Sequence, residues 1–539
     1  MIAIARGRGP GLLTALIALA GLPTTATAQQ PPFTGLYRMF QAGAEVGREQ
    51  FRRAPGLAEM SVVVPVIGLK LDSRTEFDSS GRFRRFEAKA YDAAGDSLRG
   101  TYTVTADGDT LRSVSVSQRT GQSRSSAVAG PAAGVIPAQS VAVIALLARR
   151  FGRDTVVRML PMGADSTIPV TIVHHGDTAV VSLAGIVAST VMAAGRPGAI
   201  EVPIQRLRAE LWDGRDSLPA LAGLRRPAVD YRAPAGAVYT AEEVRVPIHP
   251  AQGDTFSLAG TLTRPVTGPT AVPVVVTITG SGQQLRDEDL WPLLPDYRPF
   301  RLIAERLARE GIAVLRLDDR SVGGSTGGPG TTADYAEDVR QAVAWLRRRS
   351  DVVAGKIALL GHSEGGAIAP LVAADDPGLA GIVLLAGPAK TGRAILLDQF
   401  RRPIETAPGL SDSARAAQLA GVPQAVEQWT RTNAWTKWFA DYDPLVTAHR
   451  VRVPVLILQG ALDRQVSAGQ ADTLAAAFRA AGNRDVTEKV YPGLNHLFLH
   501  TDGDGSPSEY PTLKDTKLPA QVLDDIAAWL RMKLTVPGH

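Results

Sequence analysis

The feature that most constrains this chain is a six-residue turn set between an apolar strand and a helical stretch. Lys356-Ile357-Ala358-Leu359-Leu360 runs into Gly361-His362-Ser363-Glu364-Gly365-Gly366, and a helical pattern follows. A chain that turns from strand to helix in so few residues needs glycine at 361 and 365, where a larger side chain would clash. The turn lifts the Ser363 hydroxyl clear of a sheet. It also aims the N-terminus of the following helix at any negative charge that develops beside the serine. The G-x-S-x-G pattern by itself is common, and the strand–turn–helix context is what gives it chemical meaning.

A serine hydroxyl is a poor nucleophile without a base. Of the eight histidines, His496 is the best placed, in Tyr491-Pro492-Gly493-Leu494-Asn495-His496, on a loop after the last strand. His500 is the rival, and His362 adjoins the serine but is expected to point away from it. The acid that orients the base is expected between them, in chain order Ser, Asp, His. Residues 453–460 read as a strand, and Ala461-Leu462-Asp463-Arg464-Gln465-Val466 is the turn beyond it. Asp463 there would hold the imidazole tautomer; the plain alternative is a turn-forming aspartate. Asp441 and Asp443 are the other acids and read as helix starts.

An oxyanion needs two backbone N–H donors. Glu364 N–H, next to the nucleophile, is one. Ser281 N–H, from Gly280-Ser281-Gly282-Gln283-Gln284 after the strand at 272–279, is the other, with Gly280 and Gly282 allowing close approach. A phosphate cradle is the alternative for such a loop, but G-x-x-x-x-G-K-[ST] is lacking. The run Leu317 to Gly327, with Asp319 and Arg320, is expected to brace the oxyanion loop, and Arg286, Asp287 and Glu288 to pair with Arg320.

These residues fall in the second of two regions. From about 33 to 212 the chain reads as antiparallel β: short alternating segments such as 82–91, 97–105 and 110–118, then 167–173, 178–183 and 200–211, separated by turn signals such as 93–96. One helix, started by Pro137 or Ser140, is expected over 141–150. A meander of this kind predicts a curved sheet or half-barrel. His174-His175 before Gly176-Asp177 reads as a hairpin turn, a metal pair being the alternative. Residues 218–237 lose periodicity and read as a linker, with a boundary near Tyr239. Beyond it, apolar strands alternate with helices, which means a parallel sheet covered on both faces, with chemistry beyond the strands' carboxyl ends.

Between about 391 and 450 the alternation breaks. Two helical patterns, near 412–419 and 423–439, predict a cap over the serine. Trp429, Trp435, Trp438 and Phe439 either face an apolar pocket or glue the cap to the core. Asp502-Gly503-Asp504-Gly505-Ser506 resembles part of a calcium loop but lacks its closing acid, so a flexible turn is expected.

Composition excludes several other classes. The absence of cysteine removes disulfides, thiolate catalysis and cysteine metal sites. Basic residues are scattered among acids, not clustered in a stripe, so no nucleic-acid partner is expected. At the N-terminus, Arg6 and Arg8 precede an apolar stretch at 11–22 and an Ala26-Thr27-Ala28 cleavage pattern. This predicts a signal peptide over 1–28, export to the periplasm or beyond, and a mature chain without a membrane span.

Residues 243–534 resemble bacterial α/β-hydrolases of the serine-aminopeptidase-like and acyl-peptidase-like group. The resemblance rests on Gly280-Ser281-Gly282 with Arg286-Asp287-Glu288, the Asp318 to Gly323 run, Gly361 to Gly366, Tyr442-Asp443-Pro444, Gly460 to Asp463 and Asn495-His496. It implies an α/β-hydrolase fold with an eight-stranded sheet, a triad on Ser363, Asp463 and His496, and cofactor-free hydrolysis through an acyl-enzyme. It implies a small ester, or a short peptide, as substrate. Ser321 stands where the group more often has glycine, and Thr279 where related enzymes carry histidine. The competing expectations are amide cleavage, with Glu364 holding a free α-amine, and an envelope lipid-binding protein in which the hydrolase part is accessory.

Overall fold

A computed structural model describes residues 32–534, apart from 42–43, 66–67, 93–96, 119–120, 165–166, 184–185, 194–195, 203–206, 216–227, 292, 295, 407–411 and 432–433. The expected signal peptide, the 93–96 turn and part of the expected linker lie outside the described residues.

The N-terminal region is an antiparallel meander but for one parallel pairing, of Val135–Ile136 with Thr155–Pro161. Among the described residues its sheet has fifteen strands, nearly all paired with their chain neighbours. The first strand, Phe33–Gln41, also pairs with the last, Leu207–Leu211, in register Tyr37↔Leu211, which joins the two halves of the meander. Strands such as Leu57–Val64 alternate fully buried with partly buried positions, the signature of a sheet with one covered face. The helix Ala142–Arg150 covers that face, burying Ile144 and Leu147 in the same core as both halves. Arg150 at its end donates to the carbonyl of Gly81 (2.7 Å), in a turn of the first half, so the sheet curls around the helix as a meander of this length requires.

Two details differ from the sequence reading. The 200–211 stretch is two strands, Arg196–Val202 and Leu207–Leu211. The helix begins at Ala142, and its N-cap, Val141, offers no side-chain cap. Ser140 Oγ caps it from the chain itself, as the sequence suggests, accepting from Val143 N–H at 3.3 Å, and a second acceptor comes from across the core: Glu49 takes the N–H groups of Val141 and Ala142 at 2.7 Å each and the Ser140 hydroxyl at 2.6 Å. Burial pushes the Glu49 carboxyl up to about 7, against those three bonds.

The C-terminal region is an eight-stranded mixed sheet in the order Tyr239–Ile248, Phe256–Pro265, Ala313–Leu317, Val272–Ile278, Val352–His362, Gly381–Leu385, Val455–Gly460, Val486–Tyr491. Phe256–Pro265 is antiparallel to its neighbours, and the other pairings are parallel. Val455–Gly460 is buried at every position, as a strand covered on both faces must be. The helices Thr332–Arg347, Gly365–Ala373 and Gly469–Ala480 pack one face through Val339, Ile368 and Phe478. The helices Pro299–Ala308 and Ala520–Leu534 pack the other through Phe300, Val522 and Trp529. The loops after Ile278, His362, Leu385 and Gly460 therefore gather at the carboxyl edge of the parallel strands.

Four helices, Gly392–Thr406, Asp412–Thr430, Ala434–Asp441 and Pro444–Ala448, stand between the strands Gly381–Leu385 and Val455–Gly460. They carry a small core of their own, with Leu396, Ile404, Val422 and Val426 buried. The second runs through Pro423, where the sequence suggested a new helix, and the first carried no clear periodic signal. Packing in this small core overrides local propensity. Asp443 caps Pro444–Ala448, accepting from Leu445 N–H at 2.9 Å, whereas Asp441 ends a helix. Among the described residues no helix is long and apolar enough to cross a membrane.

The aperiodic stretch before Tyr239 is pinned down. Arg301 donates to the carbonyls of Asp230 (2.7 Å) and Arg232 (3.2 Å), and the Arg286 guanidinium lies 4.1 Å from the centre of the Tyr231 ring.

Candidate active site

Ser363 sits at φ +54°, a left-handed conformation that a non-glycine residue holds only when its surroundings impose it. They do so here. Ser363 N–H donates to Leu385 C=O, and Gly366 N–H to Ser363 C=O, both at 2.9 Å. A Cβ on Gly361 would overlap the Gly365 carbonyl, and one on Gly365 would overlap the carbonyl of Ile278. Gly361 is thus required by the backbone of the turn itself, and Gly365 by the neighbouring strand against which the turn is pressed.

The loop after Tyr491 is wound tightly around His496. Asn495 Oδ1 accepts from Leu497 N–H (2.9 Å) and Leu499 N–H (3.1 Å). His496 is 4% exposed, and its Nδ1 is 2.7 Å from Asp463 Oδ2. The Asp463 carboxylate is itself held by the N–H groups of Gln465 and Val466 and by Gln459 Nε2, each at 2.8 Å. With Nδ1 committed to Asp463, Nε2 of His496 is the nitrogen left for a substrate or a hydroxyl. Ser363, His496, Ser281 and Glu364 line one cavity of about 400 Å³. His500 is exposed.

His362 does turn away from the serine, into a network the sequence did not reveal. Its Nδ1 lies 2.9 Å from Glu288 Oε1, and its Nε2 lies 3.0 Å from the carbonyl of His496. Both partners only accept, so both ring nitrogens donate and the ring is an imidazolium. Burial alone would favour the neutral ring, but the Glu288 charge outweighs it and raises the imidazolium above its ordinary range. Glu288 Oε1 also accepts from Gly280 N–H at 2.7 Å. One carboxylate therefore ties the oxyanion loop to the elbow, and through His362 to the loop of the base. The only sequence signal for it was its place in the Arg286-Asp287-Glu288 run.

Glu288 occupies Gly280 N–H and Asp319 occupies Gln284 N–H, so neither is open to an oxyanion; the expected donor, Ser281 N–H, lies between them. A Cβ on Gly280 would come within 3.3 Å of Ser363 Cβ, so the loop backbone lies directly against the nucleophile. The N–H of Glu364 opens the helix Gly365–Ala373 and has no acceptor within it. The side chain of Glu364 is buried and takes the Thr332 hydroxyl (2.5 Å), Trp435 Nε1 (2.9 Å) and the Ser281 hydroxyl. Burial raises its carboxyl above the usual range despite these bonds.

Asp319 braces the oxyanion loop through the Thr279 hydroxyl and Gln284 N–H, both at 2.9 Å, and burial pushes its carboxyl up to about 8. The expected pairing of Arg286, Asp287 and Glu288 with Arg320 does not occur. Arg286 forks onto Asp318 (3.0 and 2.9 Å) and reaches Glu243 (2.8 Å), Asp287 pairs with Arg316, and Arg320 pairs with Asp338 at 2.5 and 2.6 Å. Arg286 and Arg320 carry like charge and cannot pair, and the two acids of the run are taken by other cations, Asp287 by Arg316 and Glu288 by His362. Arg320 still supports the loop, through its carbonyl, which accepts from Gln283 Nε2 at 3.0 Å. Gly282 at φ +96° and Ser321 at φ +68° are both left-handed, so a glycine at 321 would suit the backbone equally.

Trp429, Trp435 and Phe439 line the cavity, and Trp435 stacks on Phe439 with ring centres 5.6 Å apart. Trp438 does not line it; it stacks on Tyr442 at 4.7 Å. The 502–506 turn is anchored, with Glu509 accepting from Asp504 N–H (2.7 Å) and Arg402 reaching Asp504 (3.0 Å). Among the described residues no cluster of ligands suits a metal ion.

Residues 297–503 match the family model described as serine aminopeptidase, S33. Esterase EstD of Thermotoga maritima is 29% identical over 280 residues, 51% of this chain and 65% of that protein. Dipeptidyl aminopeptidase BIII of Pseudoxanthomonas mexicana is 28% identical over 211 residues, 37% of this chain and 28% of that protein. The chain thus spans just under two thirds of the first relative and about a quarter of the second. A solved esterase from Pyrococcus furiosus is 15% identical with a TM-score of 0.41, over 57% of this chain and 97% of its own.

Proposed function

With its C-terminal half an α/β-hydrolase domain of the serine-aminopeptidase-like group, we propose that this chain is an exported serine hydrolase that cleaves carboxylic esters through an acyl-enzyme. The observation that carries the reading is His496, held by Asp463 at 2.7 Å and lining one cavity with a left-handed Ser363. His496 Nε2 takes the Ser363 proton as Oγ attacks the carbonyl carbon. The N–H groups of Ser281 and Glu364 hold the oxyanion. The alcohol leaves with the proton from His496, and a water activated by the same nitrogen releases the acid. Asp463 stabilises the imidazolium formed in each half-reaction.

Amide cleavage with capture of a free α-amine is the less supported reading. Its anchor would be Glu364, whose carboxylate is already engaged by Thr332, Trp435 and Ser281. Export rests on the 1–28 pattern alone, and the N-terminal sequence of the secreted protein, expected to begin at Gln29, tests it.

The deciding experiment is hydrolysis of p-nitrophenyl esters beside aminoacyl p-nitroanilides, with Ser363→Ala as control. Ester turnover that disappears in the variant is expected. Turnover of anilides only would sink the ester reading, and turnover that survives Ser363→Ala would sink the nucleophile.

A further inference from the structure

Granting that Ser363 opens esters, its cavity indicates which ones. The lining comes from two separate apolar clusters. One belongs to the cap, with Leu396, Trp429 and Phe439. The other joins the segment after the oxyanion loop to the segment after His496, with Leu290, Tyr297, Leu497 and Tyr510. The polar atoms of the aromatic rings in these walls are turned to the protein. Tyr297 Oη donates to Leu497 C=O at 3.1 Å, Tyr510 Oη accepts from Gln465 Nε2 at 2.8 Å, and Trp435 Nε1 donates to Glu364. What remains facing the cavity is ring and aliphatic surface.

Negative charge is disfavoured in the same space. Among the described residues no lysine or arginine lines the cavity. The His362 imidazolium is paired with Glu288, whose Oε1 also takes Gly280 N–H, and Glu364 takes Thr332 and Trp435. The other polar lining is largely amide, from Gln41, Gln284, Gln399 and Gln465. An anionic substrate group would lose its water here beside two carboxylates, with no lysine or arginine to meet it, a penalty that neutral groups escape.

We propose that the substrates are carboxylic esters without an anionic group that carry an apolar group on both sides of the ester linkage, one for each wall. The acyl chain lies against one cluster and the alcohol chain against the other, with the carbonyl carbon at Ser363 between them. Attack breaks the acyl carbon–oxygen bond of the ester and forms the Ser363 acyl-enzyme. The alcohol leaves protonated, and water then gives the substrate's acid and restores the serine.

Two ester series test this, one lengthening the acyl chain and one the alcohol chain from the same short ester, with p-nitrophenyl acetate as reference. Each buried methylene is expected to raise kcat/KM about 4-fold until its wall is filled. A succinate half-ester of matched length is expected to react at least about 100-fold more slowly than its neutral counterpart. Leu396→Trp fills the cap wall and Leu290→Trp the opposite one. Each is expected to flatten the length dependence of a different series, read as a ratio to its own acetate rate. The wild-type series stands alone if a tryptophan variant does not fold. Ser363-dependent acetate turnover with no length dependence on one side, or a succinate half-ester as good as its neutral counterpart, overturns this inference and leaves the ester reading intact. Both variants flattening the same series also overturns it. Absence of any Ser363-dependent ester turnover overturns both.

Discussion

Ser363 is held in a left-handed conformation by two backbone bonds and by two glycines that no other residue could replace. Around it the residues divide by what they touch. Asp463 meets only His496 and the donors that fix its own carboxylate. Asp463→Asn would put an amide N–H where His496 Nδ1 donates and flip the tautomer; kcat for a good ester is expected to fall about 10⁴-fold with the fold retained, as stopped-flow and circular dichroism would record. Glu288 acts one step away, as a positioning residue that spans Gly280 and His362. Losing its charge-assisted bonds removes about 1.5–3 kcal/mol from that arrangement. Glu288→Gln is therefore expected to lower kcat roughly 10- to 100-fold with KM within about twofold, and Glu288→Asp to recover part of it. An equal effect on KM would show that Glu288 shapes binding instead. The triad candidates were legible because each sits at the end of a strand with its own turn signal. Glu288 was not, because its partners lie 8 and 74 residues away and only the fold brings them within 3 Å.

At the scale of elements, the strand–helix alternation marked nearly every strand and helix of the C-terminal sheet, since buried strands are uniformly apolar and their helices amphipathic. The cap was harder to read, because its short helices pack on one another and not on a sheet. The helix of the N-terminal domain shows a further limit: its second capping acceptor, Glu49, precedes it by more than ninety residues. That cap makes a pH prediction. The folded carboxyl is raised to about 7 from an ordinary value near 4.5, so the folded state holds a proton the unfolded chain has already lost. Its stabilising contribution is complete below about pH 4.5 and lost as pH rises through 7. About 3 kcal/mol of stability is at stake over that interval. Denaturant melts of Glu49→Gln between pH 4 and 8 are expected to lack that slope, whatever their absolute stability. An unchanged slope would mean another group titrates.

For the molecule as a whole, the segment between the two domains is not a free tether. Arg301 holds its carbonyls, and Tyr231 lies under Arg286, the same arginine that forks onto Asp318 behind the oxyanion loop. The cation–π contact is worth about 0.5–2 kcal/mol. Tyr231→Ala is therefore expected to lower the melting transition of the catalytic domain by about 2–4 °C and leave that of the N-terminal domain in place, as scanning calorimetry would resolve. The sequence by itself determined the two-domain division, the α/β architecture and the candidate nucleophile, base and acid. These follow from local periodicity and from turns whose backbone admits only certain residues. Only the tertiary structure decided the partners of the buried charges. Arg286 went to Asp318 and Glu243, Arg320 to Asp338, and Glu288 to His362, because a buried ion selects its counterion by distance and desolvation, and neither is written in the order of residues along the chain. It likewise decided which cap aromatics meet the cavity: Trp435 and Trp438 are three residues apart, and the packing of one short helix turns the first toward Ser363 and the second toward Tyr442.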